Sequence, residues 1–149
     1  MIKGKTTEKV FSVISIIIVV GLIVGGGIFG YSMYDKMFPM APDIAIPGDE
    51  EIFEIAISEN GGDKIFLNDG AEDEILAFMR SCQPTRNWTV NDYPYAEEYY
   101  VINVYTSEEG DGYRYFVYKE NGRVYLELPY HGVYTVDEGI LDLVSGYTL

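Results

Sequence analysis

The chain has 149 residues, 24 of them acidic and 10 basic, with a formal charge of −14, which leaves room for one ordinary domain and no second. That balance argues against nucleic-acid binding, which needs a clustered basic face. The single cysteine, Cys82, excludes an internal disulfide and a Cys/His zinc centre, and no cofactor is expected.

Residues 1–9 carry Lys3, Lys5 and Lys9 against one acid, Glu8. From Val10 to Tyr31 there is no charged residue. A helix of this length spans about 33 Å, against about 30 Å for the hydrocarbon core of a bilayer. The spacing predicts a transmembrane helix over 10–31. The basic tail 1–9 is then cytoplasmic by the positive-inside rule, with the rest of the chain outside the cell membrane. A cleaved signal peptide is the rival reading, with Gly30-Tyr31-Ser32 as a weak site, but the apolar run exceeds the usual length of such peptides. No cysteine follows the run to carry a lipid. Gly21 with Gly25, and Gly26 with Gly30, form two GxxxG spacings that suit helix self-association, although glycine is common in membrane helices in any case.

Pro39, Pro42 and Pro47 make residues 32–49 an extended, fairly stiff stalk. The outer domain, 50–149, opens with EIFEIAIS, whose alternation points Phe53, Ile55 and Ile57 to one face, expected buried, and Ile52, Glu54, Ala56 and Ser58 to the other. Asn60-Gly61-Gly62 supplies a turn into a second, shorter strand, KIFLN. A helix begins at Asn68 or Asp69, with Asp69 and Glu72 at capping-box spacing, and presents Ile75, Phe78, Met79 and Cys82 on one apolar face before Pro84. Beyond a loop holding Trp88 and Pro94, three alternating runs form an antiparallel meander. The Asn121-Gly122 turn places Val117 opposite Leu126 and Tyr115 opposite Leu128, with Ile102 and Val104 on the same core face. A last helix over 137–145 is expected to cover part of the opposite face. The fold class is α+β, an antiparallel sheet packed against one main helix.

That opposite face carries Tyr105, Arg114, Tyr118, Tyr125 and Glu127, and the loop adds Trp88, Asp92 and Tyr93. Large aromatics on loops and sheet faces serve recognition, so these residues, with Tyr130, are the candidate binding site. Cys82 and His131 are the sole candidates for a Cys-His nucleophile pair, but a cysteine on a buried helix face is ordinarily inert. No catalytic or metal-binding residue is assigned.

TRNWTVNDYP (85–94) and RVYLELPYHGVYTVD (123–137) resemble motifs of an uncharacterised family of domains in small membrane-anchored or lipoprotein surface proteins of Firmicutes. Asn91, Asp92 and Pro94 match its first motif, and Glu127, Pro129, Tyr130, Gly132 and Tyr134 its second, while Thr89 and Leu128 depart from it. The resemblance implies location at the cell surface and no known activity. Three functions follow in order: a non-enzymatic interaction module with a protein partner, a cell-wall glycan-binding domain, and a wall hydrolase using Glu127 or Asp92.

Overall fold

The computed structural model describes residues 3–148, with side chains from Val13 onward. Lys3, Lys5 and Lys9, from which orientation is read, lie outside the described side chains. The chain divides into two units, the first ending at Pro39 and the second beginning at Met40.

The first unit is one helix, α1 (Lys3–Met37), longer than the expected 10–31. The segment Val13–Met37 is long and apolar enough to cross a membrane, about 37 Å at helical rise. Residues 32–37, expected in the stalk, belong to this helix, because Pro39 restricts only the residue before it and the last turn ends at Met37.

The second unit is α+β. Its elements are β1 (Glu54–Glu59), β2 (Ile65–Phe66), α2 (Asp69–Ser81), β3 (Gln83–Pro84), β4 (Tyr100–Tyr105), β5 (Gly112–Glu120), β6 (Arg123–Leu128), β7 (Gly132–Thr135) and α3 (Gly139–Thr148). The strands form one sheet in the order β2-β1-β4-β5-β6-β7-β3, with every neighbouring pair antiparallel. The turns at Asn60-Gly61 and Asn121-Gly122 each place two successive residues at positive φ, the backbone that tight hairpins need. The second turn sets the expected register, Val117 opposite Leu126.

One sheet face is the core. Ile55, Ile57, Ile102, Val104, Tyr115, Val117 and Leu126 are fully buried there against Ile75, Leu76 and Met79 of α2. Asn68 caps α2 through Ala71 N–H at 3.1 Å. The Asp69–Glu72 capping box does not form, because Glu72 instead accepts the N–H of Ile55 at 2.8 Å and ties the helix to β1. Phe53 is 52% exposed, since β1 starts one residue after it.

Three further expectations are corrected. The last helix, α3, lies on the core face with Ile140 and Val144 fully buried, and it does not cover the opposite face. The proline-rich segment from Met40 is extended as expected but is packed into the unit. Ala41 is buried, Ala41 N–H donates to Thr85 O at 2.7 Å, and the hydroxyls of Tyr115 and Tyr134 donate to the carbonyls of Ala45 and Pro42. The strands β3 and β7 extend the meander beyond its expected three strands, with Pro84 on the edge, where a missing N–H is tolerated.

Candidate functional site

On the second face, register builds the site row by row. Ala56 lies opposite Asn103, and Asn103 opposite Arg114. The next row runs Ser58, Val101, Phe116, Glu127 and Val133. Small residues hollow this surface. Ala56 and Ser58 fill little volume, and Gly112 cannot be enlarged, since a Cβ there would sit 2.1 Å from the carbonyl oxygen of Val104.

The irregular loop 85–99 crosses this face. At its start, Thr85 N–H and Oγ1 both donate to Val133 O, and Val133 N–H donates to Asn87 O. At its end, Tyr99 N–H donates to Asn60 Oδ1 at 3.0 Å and Tyr99 O accepts from Asn60 N–H. Midway, the hydroxyl of Tyr130 donates to Asp92 Oδ1 at 2.5 Å. That bond raises the Tyr130 pKa above its ordinary value. Tyr93 and Tyr99 pack their rings on Phe116 at 5.8 and 5.5 Å. Thr89 and Pro94 of the loop are buried.

The loop leaves two clefts. The larger, about 480 Å³, is lined by Lys64, Asp92, Tyr93, Asn103, Tyr105 and Arg114, with Tyr113 at its side. A hollow of about 130 Å³ is lined by several of the same residues and reaches Ser58 and Phe116. Asn103 is 6% exposed and lines both, and its side-chain amide, which makes no hydrogen bond to the described residues, is open to the cleft, since no buried side-chain N or O among them is left without a partner. Lys64 Nζ donates to the hydroxyl of Tyr105 and stands 5.2 Å from that ring's centroid, an arrangement that steadies both walls.

The smaller cleft, about 180 Å³, lies among Trp88, Tyr95, Tyr118, Glu120 and Glu127. Glu127 is 4% exposed and accepts the hydroxyl of Tyr118 at 3.0 Å. Burial, followed by the neighbouring Glu127 carboxylate and its hydrogen bond, pushes the Tyr118 phenol well above its usual range, so it remains a donor.

The structure thus sorts the sequence-derived residues. Asp92, Tyr93, Tyr105 and Arg114 share the first cleft, and Trp88, Tyr118 and Glu127 the second. Tyr125 packs against Tyr118 with the rings tilted and their centroids 5.7 Å apart, and Tyr130 joins the site through Asp92. Asp92 and Glu127 do not line a common cleft. Lys64 and Tyr113 were missed, while Asn103, on the same sheet face, and Tyr95, in the same aromatic loop, were not assigned to the site. Asn103 was legible from the register opposite Arg114, whereas nothing local to Lys64 marks it. Cys82 is buried, and that burial pushes its thiol up to about 11, as expected for an inert core cysteine.

The two motifs have a structural meaning. They meet in the Tyr130–Asp92 hydrogen bond. Tyr130 is held at φ 60°, and a Cβ on Gly132 would lie 2.6 Å from that of Ala41, so the motif glycine lets the 40–48 segment approach the sheet.

Comparison with known proteins places this architecture. Residues 40–135 match the model of the DUF5301 family, whose description reads "Domain of unknown function (DUF5300)". The NMR structure of a protein from Ruminococcus gnavus is similar, with a TM-score of 0.57 and 29% identity, covering 69% of this chain and 100% of that chain. No curated protein matches the chain. A family without an assigned function agrees with the resemblance read from the motifs.

Proposed function

We propose, from the premise that the chain belongs to the DUF5301 family, that this protein is a non-enzymatic binding module held at the outer surface of the cell membrane by α1. The basic residues Lys3, Lys5 and Lys9 put the N-terminus in the cytoplasm, and the outer unit presents its second sheet face for recognition. One observation carries the reading. Asn103 is nine-tenths buried, opens on a cleft, and has no partner for its amide among the described residues. The amide is not sealed off, since no buried side-chain N or O is left without a partner among the described residues. Its donor and acceptor stay available from the cleft on an otherwise enclosed floor, where a ligand's hydrogen bonds are better shielded from water than at an open surface. Photocrosslinking in intact cells, with probes at Tyr105 and Tyr113, is expected to capture a defined partner. If both positions yield the bare chain alone, this reading loses its basis.

A second reading, recognition of cell-wall glycan, rests on the other cleft. There Trp88 and Tyr95, 53% and 91% exposed, offer rings to a sugar face beside Glu120 and Glu127, which accept hydrogen bonds from hydroxyls. Residues 40–149 are then retained by wall material and lose that retention on Trp88→Ala. Absence of retention in the unsubstituted unit ends this reading.

A further inference from the structure

The outer unit is strongly acidic, and its cations are distributed unevenly. Arg80 pairs with Asp49, and Lys119 with Glu138 at 3.1 Å. Lys64 and Arg114 meet no carboxylate among the described residues, yet they line the same cleft and the same hollow beyond it. Asp92 is the one acid of that lining, and its Oδ1 already accepts the hydroxyl of Tyr130. The floor between the two cations is Asn103, cross-strand neighbour of Arg114.

We infer that this cleft binds the anionic group of a small ligand, a carboxylate or a phosphate. The group is held by the Lys64 ammonium and the Arg114 guanidinium, while the Asn103 amide donates from below. Tyr93, Tyr105 and Tyr113 flank the carbon skeleton attached to it. The cleft volume of about 480 Å³ suits a ligand of sugar size. The acidic surroundings repel a long polyanion but act weakly on a single charge in contact with two cations, because exposed charges are screened beyond about 8–10 Å at ordinary salt. This inference deepens the binding-module reading and rests on it.

The outer unit can be tested alone. Residues 40–149 form a compact unit, and the similar NMR structure is matched over the whole of its own chain. Isotope-labelled 40–149 is titrated with glucuronate and with glycerol 3-phosphate, and with neutral glucose and glycerol at matched ionic strength. An anionic probe is expected to shift the Asn103 side-chain amide and the backbone amides of 103, 113 and 114. Arg114→Gln and Lys64→Met each weaken that response by about 10- to 100-fold, while Arg123→Gln, outside the cleft, leaves it unchanged. Saturation by one probe at the lower concentration identifies the group as carboxylate or phosphate. The inference is overturned if neither anion shifts these signals by about 10 mM, or if the neutral probes act equally. Indifference of the response to both cleft substitutions also overturns it. Equal binding of neutral probes removes the anion while leaving the binding module intact. An anion response without any partner captured in cells does the reverse.

Discussion

The two faces of the sheet are woven from the same alternating strands, yet they are closed by different material. On the core face, α2, α3 and the 40–48 segment lay apolar side chains over Ile57, Ile102 and Val117, and these are sealed to zero exposure. The second face is crossed by one irregular loop, fixed at its two ends and at Asp92, and clefts remain on either side of it. Successive residues of one strand therefore have opposite tasks. In β4, Ile102 and Val104 hold the fold, and Asn103 between them is kept polar at a position where an apolar residue would pack more cheaply. A polar side chain on a largely enclosed floor, with its amide open to a cleft, is placed for use.

Adjacent substitutions break this comparison most sharply. Ile102→Ala is expected to cost about 2–5 kcal/mol in urea unfolding, from lost transfer energy and the cavity left behind. Asn103→Ala, one residue away, is expected to cost little, because no partner among the described residues is stranded. Equal losses at the two positions would mean that the faces are not distinct.

Gly132→Ala comes next, at about 1–3 kcal/mol, since the new methyl must displace Ala41. Ala41→Gly in the same chain is expected to restore much of this loss. Failure of that rescue in a double-mutant cycle would separate the 40–48 segment from the core face. Tyr134→Phe removes the hydroxyl bond to Pro42 O, made at 2.8 Å, and is expected to cost about 1 kcal/mol.

The smallest effect is alkaline. Burial raises the Cys82 thiol from 9.0 to about 11. Above pH 9 the unfolded thiol loses its proton while the folded one keeps it, so the unfolded chain binds fewer protons and stability falls as pH rises toward 11. The urea midpoint should drift downward over that interval, and Cys82→Ala should flatten part of the drift. A drift that Cys82→Ala leaves unchanged would show the thiol to be exposed.

Much of the core face was legible because period-two alternation and the Asn121-Gly122 turn specify both register and side. What alternation cannot tell is which of two apolar-compatible faces a later element will cover. That is why α3 was expected on the wrong side. Phe53 continues the pattern of Ile55 and Ile57 but falls just outside β1, and nothing in the pattern marks where the strand begins. The prolines before residue 48 announce extended chain and say nothing about burial, so the packing of Ala41 was invisible. Strands β3 and β7, of two and four residues, are too short for a periodic signal. At the candidate site, Arg114, Tyr105 and Tyr93 were found from their chemistry. Lys64 arrives from another hairpin, and its place in the cleft is a tertiary fact.

The central claim, that the second face is the working surface, is tested most directly by NMR of labelled residues 40–149 with detergent-solubilised envelope from the host cell. The account predicts perturbed signals confined to the second face and its loop, around 58, 93, 103 and 113–116, with α2 and α3 unchanged. Perturbation centred on α2 or α3, or none anywhere, would contradict it.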